Sequence, residues 1–158
     1  MRKGQSPIRT VLPDPVHQSV ALARLINYSM RAGKKNASRR QVYRTLELLK
    51  KEQPNQPLGI FEQALENIKP KVEVRPRRIG GAVYQVPTPV RSHRQLSLAI
   101  RWLVGAARLR PSKQYHTFAD KLTAEILAAA KSEGSAVTKR LEVERIAEAN
   151  KAFAHLRW

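Results

Sequence analysis

Arginine and lysine are the residues whose type and spacing carry chemistry in this chain, and that chemistry is the neutralisation of phosphate. Arg75, Arg77 and Arg78 crowd the approach to Gly80-Gly81, and no acid follows Glu73 until Asp120. Lys34, Lys35, Asn36 and Arg39 fall where one helical pattern gives way to the next, beside helix N–H groups that favour phosphate. Arg91, Arg94, Arg101, Arg108, Arg110 and Lys113 continue the basic run. Lys139 and Arg140 carry it to the last helix, and Arg2, Lys3 and Arg9 stand at the start. Such side chains displace counterions from a nucleic acid, which makes binding strong and salt-dependent. Trp102, Tyr84 and Tyr115 lie near these cations and can stack on exposed bases. Trp102, next to Leu103 on a helix, has a competing place in the core.

Other chemistries lack their parts. The four histidines (His17, His93, His116, His155) show no H-x-x-x-H or H-E-x-x-H spacing. A metal-dependent nuclease needs clustered carboxylates to hold its cation, yet the basic stretches contain only Asp14. Glu142, Glu144 and Glu148 recur on one late helix, but Lys139, Arg140 and Arg145 beside them make an ion-pair lattice the simpler reading. The chain has no cysteine, hence no disulfide, thiolate zinc site or thiol nucleophile. Nucleotide-binding glycine loops and a G-x-S-x-G elbow are missing too. The sequence predicts no enzyme, no metal and no cofactor.

The charge is segregated as well as large. In 158 residues, 30 Lys+Arg face 12 Asp+Glu, a formal net charge of +18. Residues 1–46 hold ten basic residues and one acid, and residues 74–119 hold nine and none. The stretches 47–73 and 120–158 are close to balanced. A merely solvated surface intersperses both signs; segregation marks a binding face for a polyanion. No apolar run approaches the ~20 residues of a membrane span. Met1-Arg2-Lys3-Gly4-Gln5-Ser6-Pro7 lacks the apolar stretch of a secretory signal. The expected setting is a compartment that holds nucleic acid, without a membrane partner.

Hydrophobic spacing supplies the elements that must position these cations. Residues 1–18, with Pro7, Pro13 and Pro15, read as an extended basic arm, and residues 19–158 as one helical domain. Ser19 caps a first helix to about Ala32, with Val20, Leu22, Leu25, Ile26 and Met30 on its apolar side and Gly33 ending it. Lys34-Lys35-Asn36 forms the turn, and Ser38 caps a second helix through Val42, Leu46 and Leu49. A third helix carries Ile60, Phe61, Ala64, Leu65 and Ile68 and stops before Pro70. Val72 and Val74, then Ala82, Tyr84 and Val86, alternate about Gly80-Gly81, which predicts a hairpin at about 71–89. An unsupported two-stranded ribbon is marginal in water, so this one is expected to project and to be ordered by an anionic partner, with Tyr84 on its outer limb. Ser92 opens a fourth helix ending before Pro111, a fifth runs roughly from Thr117 to Lys131, and a last one begins near Ser135 on Val137, Leu141 and Ile146, with Phe153 beyond. The class is mainly α: six helices, a hairpin arm between the third and fourth, and an extended N-terminal arm.

Two binding functions compete on this pattern. The helix, Gly33-Lys34-Lys35 turn and helix invite a helix-turn-helix DNA-binding reading. A module of that kind needs neither a second basic block, nor a basic arm, nor a hairpin. Several separated contact devices on one small domain suit a folded RNA.

Five stretches then carry a resemblance to a known family: Val11-Leu-Pro-Asp-Pro15; Ile26-Asn27 with Met30-Arg-Ala-Gly-Lys-Lys35; Lys71-Val-Glu-Val-Arg75 with Arg77-Arg78-Ile-Gly-Gly81; Tyr84-Gln-Val-Pro87; and Ile146 to Trp158. The chain resembles the bacterial and organellar small-subunit ribosomal protein seven family. That resemblance implies a ribosomal location, in a bacterial cytoplasm or in a mitochondrion or plastid. It implies binding to the 3′ major domain of small-subunit rRNA, initiation of head assembly and neighbouring small-subunit proteins as partners. It also implies that the hairpin, through Ile79, Gly80, Gly81, Ala82, Tyr84, Gln85 and Val86, approaches exit-site tRNA and mRNA. Glu144 and Leu156 depart from residues common in the family, and neither lies in the hairpin.

Overall fold

The computed structural model describes residues 10–52, 54 and 56–156, so Arg2, Lys3 and Arg9 lie outside the described residues. In chain order the elements are α1 (Val20–Ser29), α2 (Lys35–Glu52), α3 (Pro57–Ile68), β1 (Val72–Ile79), β2 (Ala82–Pro89), α4 (Ser92–Leu109), α5 (Phe118–Ala130), α6 (Ser135–Ala149) and a short 3-10 helix, Lys151–Leu156. The mainly helical class and the hairpin between the third and fourth helices match the sequence reading.

α5 packs against α2, α3 and α4. Its start is fixed by a capping box: Asp120 N–H donates to Thr117 Oγ1 at 3.2 Å, and Thr117 N–H donates to Asp120 Oδ2 at 3.0 Å. Hydrogen bonds from the Thr117 side chain and backbone hold the Asp120 carboxyl below its usual range. Leu122 and Ile126 of α5 enter a core with Leu22 and Leu25 of α1, Leu49 of α2, Phe61 and Ile68 of α3, and Ile100 and Leu103 of α4. Full burial of each such side chain stabilises the fold by about 1.5–3 kcal/mol.

The junction of α1 and α2 departs from the expected caps. α1 ends at Ser29 because Met30 is extended, while Ala32 and Gly33 take positive φ values of 48° and 73°. α2 begins at Lys35, so Ser38 is no N-cap but a buried residue inside the helix. Its hydroxyl donates to the Ile26 carbonyl at 2.7 Å and lies 2.6 Å from Ser29 Oγ. Arg108 of α4 donates from Nη2 to the Ser29 carbonyl at 3.0 Å. The Ser29 carbonyl at the end of α1 is thus closed from α4, while Ser38 of α2 adds a donor to the Ile26 carbonyl that the Met30 N–H already meets.

A buried carboxylate joins α4, α5 and α6. Glu125 is 0% exposed and accepts from Arg110 Nε at 2.8 Å and from Ala136 N–H at 3.0 Å. Gly134, at φ +90°, leaves room for it, since a Cβ there would lie 2.9 Å from Glu125 Oε1. α6 itself is less buried than its spacing suggests. Ala136, Val137 and Ala147 are its buried residues, whereas Leu141 and Ile146 are exposed, a correction to the expected stripe. Val20 on α1 is exposed too.

In the hairpin, Val72 pairs with Pro89 and Ile79 with Ala82 across the Gly80-Gly81 turn. Both glycines have positive φ, 56° and 89°, as a two-residue type I′ turn requires. The register sets Val74 opposite Pro87, but Val86 opposite Arg75 and Tyr84 opposite Arg77. The two apolar runs therefore occupy opposite faces of the ribbon. The root of the ribbon is not isolated: β1 packs on α6 and β2 on the 3-10 helix.

Candidate nucleic-acid interface

Four helix ends converge on one side of the molecule: the C-termini of α1 and α4 and the N-termini of α2 and α5. Between them opens a cleft of about 420 Å³ lined by Arg31, Lys34, Arg108, His116 and Lys121, with Ser29, Ser38, Gln41 and Ser112 among its polar walls. Among the described residues no carboxylate lines it. Arg31 and Lys34 are exposed, Lys121 is half-buried and donates to Ser112 Oγ at 2.9 Å, and Gln41 Oε1 accepts from Ala119 N–H at 3.3 Å. Burial and then the nearby charge of Arg31 lower the proton affinity of Arg108. Like charges gathered without a lining counter-charge are a poor arrangement for an empty surface and a good one for a phosphate.

A second cationic group sits at the hairpin root, differently organised. Glu73 is buried between Arg75 and Arg94; Arg94 Nε and Arg75 Nη2 both stand 2.6 Å from its carboxylate. Burial disfavours ionisation of Glu73, but hydrogen bonds from Arg94 and then Arg75 outweigh it and hold the carboxyl below its ordinary range. Farther out, Arg78 is exposed and Arg77 half-buried, facing Tyr84 across the ladder. The exposed tip comprises Gly80, Gly81 and Ala82, with Ile79 half-buried and Gln85 exposed beyond it.

The remaining sequence-predicted residues divide between surface and scaffold. Lys35 and Asn36 are exposed on the first turn of α2, and Arg39 is half-buried. Arg91 and Arg101 are exposed at α4, and Lys113 is exposed in the loop after it. Lys139 and Arg140 stand in the ion-pair lattice foreseen for the last helix, 2.6 Å from Glu142 and 3.8 Å from Glu144.

Several expectations need correcting. Arg110 is committed to Glu125, to the Ala124 carbonyl at 3.2 Å and to Tyr115, whose ring centroid lies 5.4 Å from its guanidinium carbon. It serves the scaffold, and Tyr115 is occupied with it. Trp102 is half-buried against the helical core, the competing place its neighbour Leu103 suggested. Val86 is 0% exposed and offers no surface to a partner. Tyr84 is half-buried, its ring 5.3 Å from that of Phe153 in the 3-10 helix. Only the tertiary arrangement brings in Arg31, His116, Lys121 and Gln41, because they come from separate parts of the chain. Arg31 alone had a linear signal, standing within Met30-Arg-Ala-Gly-Lys-Lys35.

Comparison with known proteins fits this arrangement. The family described as "Ribosomal protein S7p/S5e" matches residues 1–151. The small ribosomal subunit protein uS7 of Thermodesulfovibrio yellowstonii is 51% identical over 157 residues, covering 99% of both chains. The protein of that name from Xanthomonas oryzae pv. oryzae (strain PXO99A) is 50% identical over 157 residues, again covering 99% of both.

Proposed function

This chain belongs to the ribosomal protein S7p/S5e family, and we propose that it works on the ribosome as a small-subunit protein that binds the 3′ major domain of small-subunit rRNA. The family is structural and not enzymatic. One observation carries the rRNA reading: a cationic cleft with no lining carboxylate, built where four helix ends meet. In this reading residues 19–158 act as one RNA-binding unit, and the arm adds Arg2, Lys3 and Arg9. The cleft takes the RNA backbone, with Lys35, Asn36, Arg91, Arg101 and Lys113 extending the contact around it. Early binding there starts assembly of the head. The hairpin tip, exposed and backed by Arg77 and Arg78, faces exit-site tRNA and mRNA, and other small-subunit proteins cover remaining surface. A helix-turn-helix reading explains less, because the cations gather from four elements rather than along one recognition helix.

Filter binding to a transcript of the 3′ major domain tests the reading. With about ten phosphate contacts, log K is expected to fall by roughly 7–9 per unit of log[salt]. A slope near zero, or equal affinity for random duplex DNA, overturns it.

A further inference from the structure

A second concavity lies between the described part of the arm and helices α1 and α2, and shares no lining residue with the cleft. It encloses about 540 Å³, within the range of small-ligand sites. Val11, Pro13 and Ile26 give it apolar walls, Asn27 supplies an amide, and Lys35 and Arg39 supply positive charge. Arg39 Nε is shielded from solvent and has no hydrogen-bond partner among the described residues.

The one acid in the wall is already engaged. Asp14 is 3% exposed; its Oδ2 accepts from the N–H groups of Val16 and His17 at 3.2 Å, and Tyr43 donates its hydroxyl to both carboxylate oxygens at 2.9 Å. His17 packs edge-on to the same Tyr43 ring at 5.6 Å. Tyr43 consequently clamps this stretch of the arm against α2, so the concavity exists before any ligand arrives. Preformed walls reduce the ordering cost of binding.

We propose that this slot receives the base of one unstacked ribonucleotide, with Lys35 and Arg39 beside its phosphate. Apolar walls suit the faces of a base, the Asn27 amide can donate to and accept from its edge, and the two cations meet the attached phosphate. An uncharged or basic peptide would leave both cations uncompensated. The inference rests on the rRNA reading and names one subsite within it.

The test uses the full chain bound to a transcript of the 3′ major domain, with dimethyl sulfate probing of base reactivity. In the wild-type complex at least one unpaired base is expected to be protected. Asn27→Ala, and Ala23→Trp, which fills the slot from a position in its wall, are both expected to restore reactivity at that same base, with affinity falling about tenfold, the scale of one lost base contact. Protection that persists in Asn27→Ala overturns the slot, whatever Ala23→Trp does, as does a wild-type complex with no protected unpaired base. A wild-type chain that binds the transcript no better than an unrelated RNA overturns the rRNA reading itself, an outcome separate from loss of the slot alone.

Discussion

The helix-junction cleft and the hairpin root are both rich in arginine, yet only one of them leaves its charge available. At the root, a buried Glu73 gathers Arg75 and Arg94 into ion pairs. At the junction, Arg31, Lys34, Arg108, His116 and Lys121 share a wall without a lining acid. Residues of one type, drawn from equally basic stretches, thus divide into those that hold the fold and those that can hold a partner. Position relative to a buried carboxylate makes the difference.

The sharpest way to break that comparison is to remove cations from each side. Arg31→Ala with Lys34→Ala is expected to weaken rRNA binding by about 3–6 kcal/mol, at 1.5–3 for each charged contact. Helical circular dichroism should stay unchanged, since both residues are exposed. Full affinity in the double variant would mean that the cleft is not the contact.

Arg110→Ala should do the reverse. It strands the fully buried Glu125 without its ion pair, which costs about 3–5 kcal/mol of stability. A thermal melt reads this directly, and an unchanged midpoint would show that Arg110 is no scaffold residue.

Glu73 sharpens the comparison through pH. Its carboxyl is held low in the folded state, so its contribution is full above the unfolded value of about 4.3 and is lost as pH falls through the lower folded value. Glu73→Gln should cost about 1–3 kcal/mol at neutral pH and flatten that acid-side loss. Hydrogen exchange in β1 and β2 follows the ribbon's anchorage; equal exchange in both proteins from neutral pH down to pH 3, roughly a unit below the unfolded value, would deny Glu73 this role.

The smallest effect is expected at the aromatic contact. Phe153→Ala removes the ring against Tyr84, a pair contributing about 0.5–1.5 kcal/mol beyond its area. Faster amide exchange confined to the outer ribbon, with the helical core unaltered, is the expected result. Exchange unchanged in the ribbon would deny the Tyr84–Phe153 contact an anchoring role.

Much of the architecture was legible because local rules generate it. Helix spacing, the Ser19 cap, and Gly80-Gly81 between alternating residues all describe what a short stretch can do alone. Reading Leu141 and Ile146 as core went wrong because periodicity shows that a helix has an apolar side, not that a neighbour covers it. Val86 went wrong the opposite way: alternation gave a ribbon, but α6 and the 3-10 helix decided that its root is buried.

The sequence by itself determined the charge distribution from which a polyanionic partner is expected, +18 with two nearly acid-free blocks. It determined also the helices and the turn that carry those charges, because capping, proline placement and hydrophobic period act over a few residues. Which arginines remain available was decided only by tertiary structure. Glu125 lies 15 residues from Arg110, and Glu73 lies 21 from Arg94. Whether such groups meet depends on how the helices pack, and an ion pair forms only where packing brings its two charges together.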